Sequence, residues 1–140
     1  MKILVPVDDS ETSLHAIDWL ALLPGSASIE VHLVNVRGLA DSYGAVAALD
    51  HEAVERALRE GQQGVLAKAL VRANHAGLER VTIHAAHGLP AQKIVDSAKA
   101  LGVDQIVMAT HGRGAVGTFF MGSVAQEVVH LAPMAVTLVK

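Results

Sequence analysis

The chain has 140 residues, a hydrophobic fraction of 51% with only 3% aromatic, a formal net charge of −3 and a pI near 6.2. That length suits one domain, expected over residues 1–140, which buries roughly two-thirds of the unfolded chain's surface. The acidic balance argues against a nucleic-acid partner, which needs a basic face. No apolar run reaches membrane-span length, so no membrane partner is expected.

Zero cysteines suit a reducing compartment. The N-terminus MKILVPVDD turns acidic too soon for a secretory segment. A soluble cytoplasmic protein is therefore the expectation. With so few aromatics the core must be built from Val, Leu, Ile and Ala, the usage of parallel strands covered on both faces.

Residues 2–7, KILVPV, read as a first strand, with Pro6 tolerable only near its end. Ser10 is then a good N-cap for a helix carrying Leu14, Ile17 and Ala21 on one face and ending before Pro24-Gly25. Asp8 and Asp9 lie before that helix, where its macrodipole favours negative charge.

Residues 29–36, IEVHLVNV, form the second strand, and residues 37–49 a connection without a clear period. Asp50 caps a long helix reaching about Ala76, with Val54, Leu58, Val65, Ala69 and Ala73 on one side. Gly61 and Gly64 inside it cost about 1 kcal/mol each relative to Ala and mark either close packing or a kink.

The third strand is residues 81–87, VTIHAAH. Gly88-Leu89-Pro90 turns from it into a helix with Ile94, Ala98 and Leu101 inward, stopped at Gly102. His84 and His87 are three apart, on opposite faces of a strand, and no metal-binding spacing is present, so no metal site is expected.

Residues 104–110 give the fourth strand, which enters a loop with Gly112, Gly114, Gly117 and Gly122. Four glycines between a buried strand and a helix let a ligand lie against the main chain. Ser123 with Gln126 makes an S-x-x-Q capping box, which starts the last helix at Val124 and puts Val124, Val128 and Leu131 on one face. Unpaired amides at such a helix start hold an anion without any basic side chain, and phosphate is the obvious guest.

Gly112-x-Gly114-x-x-Gly117 formally matches the dinucleotide fingerprint, yet no Asp or Glu follows Glu127 to take the ribose. A P-loop needs Gly-Lys, a pair absent from the chain, and there is no Gly-x-Ser-x-Gly elbow for a serine nucleophile. His111 in the loop is either a donor to phosphate oxygen or a solvated side chain. Arg113 is either a phosphate contact or a solvated charge. A receiver-type signalling domain is suggested by Asp8-Asp9, Thr110 and Lys140, but the acidic residue it needs at the end of the third strand is missing.

This loop resembles that of the universal stress protein family, whose nucleotide-binding members carry G-x2-G-x9-G-[ST]. Gly112, nine residues, then Gly122 and Ser123 match its second half, while the first glycine falls on Ala109. Pro6-Val7-Asp8 and Gly88-Leu89-Pro90 match the family's Pro-x-Asp and Gly-x-Pro turns. The resemblance spans the whole chain. It implies a three-layer α/β sandwich, Rossmann-like and close to adenine nucleotide alpha hydrolases, with a doubly wound parallel sheet in the order 3-2-1-4-5. It further implies an ATP-binding stress protein, possible Mg²⁺ being held mainly by phosphates and water, with at most slow hydrolysis.

Adenine and ribose would then lie near Pro6, Val7, Asp8 and Val36, and phosphates near Met108, Ala109, Gly112, Arg113, Gly122, Ser123 and Val124. The last strand, from Met134 to Val139, is an edge with apolar residues on both faces. The resemblance implies that it pairs with its copy in a homodimer. A non-nucleotide-binding dimeric stress protein acting through protein partners is the alternative.

Overall fold

In a computed structural model, residues 1–38, 50–111 and 121–140 are described. Five parallel strands stand in the order β3-β2-β1-β4-β5: β1 Lys2–Pro6, β2 Glu30–Arg37, β3 Arg80–His87, β4 Gln105–Ala109 and β5 Ala135–Val139. Between them run α1 Glu11–Ala21, α2 His51–His75, α3 Pro90–Leu101 and α4 Ser123–Leu131. The expected doubly wound sheet, its strand order included, is therefore what the chain forms.

The sheet works because alternate residues of each strand face opposite ways and both faces are apolar. Ile3, Val5, Val31, Leu33 and Val107 face one side, where Leu14, Ile17 and Leu20 of α1 and Leu66, Ala69 and Ala73 of α2 cover them. Leu4, Val34, Ile106 and Met108 face the other, under Ala91, Ile94, Val95 and Ala98 of α3 and Ala125 and Val128 of α4. These two aliphatic cores make the three layers.

Local signals start and stop the elements. Ser10 caps α1 by accepting from the Ser13 amide at 3.3 Å, and Asp50 caps α2 by accepting from the Glu52 amide at 3.1 Å. Pro90 sits in the first turn of α3, and Gly102 ends that helix with φ of 61°.

Three expectations are corrected. Ser123 is the first residue of α4 and not its N-cap, because Gly122 takes the extended cap conformation at φ −61°, ψ 149°. Gln126 closes no capping box; its side chain donates to the Met121 carbonyl at 3.2 Å. On α2, Leu66 is buried while Leu58 and Val65 are only half-buried, so the inward stripe is rotated toward Leu66. Gly61 and Gly64 have open space where a Cβ would stand, which rules out close packing as their reason.

Candidate functional site

Parallel strands that all end on one side leave a crevice beyond their carboxyl ends where the winding reverses, here between β1 and β4. A cavity of about 820 Å³ lies there. Pro6, Val7, Asp8, Val36, Met108, Ala109, Gly122, Ser123 and Val124 all line it. Gly112 and Arg113, expected in the same site, lie outside the described residues.

The chain after β1 is fixed at that rim by main-chain and side-chain bonds. Val7 donates its amide to the Val34 carbonyl at 2.8 Å, and Asn35 Nδ2 donates to the Val7 carbonyl at 2.7 Å. Asp8 Oδ1 accepts from the Ser10 amide at 2.9 Å and also from the Ser10 hydroxyl, so this carboxylate shapes the turn into α1. It lines the cavity at the same time.

At the β4 side, the Thr110 amide donates to the Val139 carbonyl at 2.9 Å and the Thr110 carbonyl accepts from the Gly122 amide at 2.8 Å. Gly122 therefore offers the cavity no free N–H. The amides left to receive an anion belong to Ser123, Val124 and Ala125, in the first turn of α4, which have no acceptor within the helix. Ala109, at the mouth of β4, is 8% exposed and lines the cavity with its methyl group.

His111 takes a definite place. Its Nδ1 is 2.8 Å from the Thr110 hydroxyl, its carbonyl accepts from the Thr12 hydroxyl at 3.1 Å, and its Nε2 is buried with no partner among the described residues. A buried nitrogen without a partner is costly unless a ligand or solvent meets it. Of the two readings of His111, a side chain free in solvent is excluded.

No motif in the chain points to the α2 wall of the cavity. Leu58, Gly61, Gln62 and Val65 line the cavity from that helix. Gln62 Nε2 donates to the carbonyls of Asn35 at 3.0 Å and Ala86 at 2.9 Å, tying α2 to the ends of β2 and β3. Arg37, last in β2, also lines the cavity. Its ion pair with Glu55 at 3.1 Å is between residues 18 apart, and neither periodicity nor motif could have joined them.

Away from this site, no group of three or more His, Cys, Asp or Glu among the described residues converges so as to hold a metal ion. No helix among the described residues is long and apolar enough to cross a membrane.

The profile of the Universal stress protein family matches residues 1–140. The chain is 30% identical over 139 residues to the universal stress protein MJ0531 of Methanocaldococcus jannaschii, covering 99% of this chain and 81% of that one. The solved structure of protein MJ0577 superposes with a TM-score of 0.84 at 26% identity, covering 99% and 94% of the two chains. A universal stress protein from Archaeoglobus fulgidus, solved in complex with dAMP, superposes with a TM-score of 0.68 at 23% identity, covering 100% and 98%.

Proposed function

The chain belongs to the universal stress protein family, and from that premise we propose that its cavity binds an adenine nucleotide, ATP in the first instance, as a stress-response or signalling protein. The observation that carries this reading is the convergence of the expected site residues on one cavity beside the first turn of α4. The size is within the range usual for small-molecule sites. The free amides of Ser123 and Val124 and the unpartnered His111 Nε2 suit phosphate oxygens, and the dAMP held by the Archaeoglobus fulgidus relative fits the same chemistry.

Base and ribose would lie toward Pro6, Val7, Asp8 and Val36, and phosphates toward Met108, Ala109, Ser123 and Val124, while Gly112 and Arg113 are phosphate contacts proposed from the sequence alone. Mg²⁺, when bound, would be held chiefly by phosphates and water. The role is binding, with at most slow hydrolysis. Fast phosphoryl transfer needs a cationic clamp on the phosphates and a group orienting water. The described residues lining the cavity include no lysine, and Arg37 stands at the opposite rim.

The direct test is titration of purified protein with ATP by calorimetry, with mass spectrometry of extracted nucleotide. Absence of binding at millimolar ATP, together with no extracted nucleotide, would remove this reading. It would favour instead a nucleotide-free dimer acting through protein partners, for which the Ala109 methyl at the cavity mouth is the supporting observation. Pairing of β5 with its copy is proposed in either case, because β5 is an edge strand whose Val136 and Leu138 are only half-buried. Sedimentation of wild type and Val136→Pro tests it, since the Val136 amide points away from β4 and proline removes that edge donor.

A further inference from the structure

Arg37 is the last residue of β2, and its side chain is only 13% exposed. One nitrogen, Nη2, donates to Glu55 Oε2 at 3.1 Å. The other two, Nε and Nη1, are buried and have no partner among the described residues. Leaving a buried charged donor unsatisfied is among the more expensive things a fold does.

The strand end carrying this guanidinium is held still. The Arg37 carbonyl accepts from the Gly88 amide at 3.0 Å, and Gln62 bonds the carbonyls of Asn35 and Ala86 on either side of the β2–β3 ladder. Glu55 lies two helical turns before Gln62 on the same face of α2. Among the described residues, Arg37 lines the cavity and Glu55 does not, so the carboxylate stands behind the guanidinium.

Charge decides what this arrangement can receive. Glu55 already neutralises Arg37, so a second anion here would be left uncompensated in a half-buried place. A neutral acceptor, such as a ring nitrogen or carbonyl oxygen, meets the two N–H groups without that penalty. Arg37 is separated from the first turn of α4 by the width of β1, roughly 10 Å at two inter-strand spacings. It therefore serves the end of the ligand away from any phosphate.

We propose that Arg37 is the base-reading residue of the cavity, donating from Nε or Nη1 to an acceptor on the purine edge, with Glu55 as its positioning residue. This rests on the reading that the cavity takes a purine nucleotide.

The test compares ATP with its 1-deaza, 3-deaza and 7-deaza analogues, each lacking one ring acceptor, on wild type and on R37M, which keeps the apolar stem. Wild type is expected to bind one analogue about tenfold more weakly than ATP, the scale of a hydrogen bond to a charged group. R37M is expected to bind ATP about tenfold more weakly than wild type does and to lose nothing further with that analogue. Glu55→Gln, which keeps the acceptor, should preserve the pattern, and Glu55→Leu should erase it.

Arg37 is not the reader if R37M binds ATP as wild type does, or if it loses the same factor for ATP and for every analogue. A wild type that binds none of the four nucleotides overturns the nucleotide reading itself. Circular dichroism of each variant separates these outcomes from unfolding.

Discussion

Nδ1 of His32 and Nε2 of His84 face each other at 3.0 Å across β2 and β3. Only one of the two can carry the shared proton, so the pair cannot hold two positive charges. His32 Nε2 is 3.1 Å from Glu30, which also meets Lys2 at 3.7 Å and Arg80 at 3.2 Å. Burial, and then the neighbouring His32, push His84 below its ordinary value of 6.5. The folded chain thus binds fewer protons than the unfolded one once pH drops below that value. Its stabilising share is complete above 6.5 and is lost as pH falls through the depressed folded value. Denaturation midpoints should fall between pH 7.5 and pH 5, and fall less in His84→Gln. An equal fall in both proteins would assign the acid sensitivity elsewhere.

Asp18 and Arg72 join α1 to α2, and their pair weakens in the same direction of pH but in a more acidic range. Arg72 donates from Nε at 2.7 Å and from Nη2 at 2.6 Å to the two carboxylate oxygens. That hydrogen bonding holds the Asp18 carboxyl below its ordinary 3.8. Its contribution is present above 3.8 and is lost as pH falls through the lower folded value. Both side chains are more than a third exposed, at 36% and 42%, so solvent and salt screen the pair. Asp18→Asn is expected to lower Tm by a few degrees at neutral pH and low salt, and by less in molar salt.

Gly122→Val separates the fold from the site. The Gly122 backbone, at φ −61°, lies where any residue is at ease, so no conformational strain is added. Its side chain would fill space beside the Ser123 and Val124 amides. Far-ultraviolet circular dichroism should be unchanged while ATP binding falls at least tenfold, the scale expected when a polar ligand loses its main-chain donors. Unchanged ATP affinity would mean that the anion seat lies elsewhere.

Gln62→Met keeps the side-chain length on α2 but removes the donor that serves the Asn35 and Ala86 carbonyls. A loss of about 1–3 kcal/mol in unfolding free energy is expected, because both acceptors are then left in partly buried positions. Urea titration gives the number. Since Gln62 and Asn35 line the cavity, ATP affinity should fall as well.

The strands are legible because parallel strands covered on both faces leave uninterrupted apolar runs, as in residues 3–5 and 106–109. Ser10, Asp50, Pro90 and Gly102 gave the helix ends because each acts within its own turn. Ser123 misled because Gly122 can take the cap conformation one residue earlier. The β1 and β4 rims of the cavity were legible as turn motifs. Arg37, Glu55 and Gln62 were not, since their partners come from distant turns of the chain and only the packing of α2 on β2 brings them together.

The strand order has a consequence for how the molecule assembles. β1, made first, can pair with β2 as soon as the next 30 or so residues are out, but its other edge waits for β4, in the register Ile3↔Gln105 and Leu4↔Ile106. That late closure brings together ends some hundred residues apart in sequence, the kind of long-range pairing that slows folding. The three strands β1, β2 and β3 can gather early, while the crevice forms only when the final third of the polypeptide docks. A chain stalled at that step is therefore partly structured yet unable to hold a ligand, and a ligand present during synthesis would draw the last strands into place.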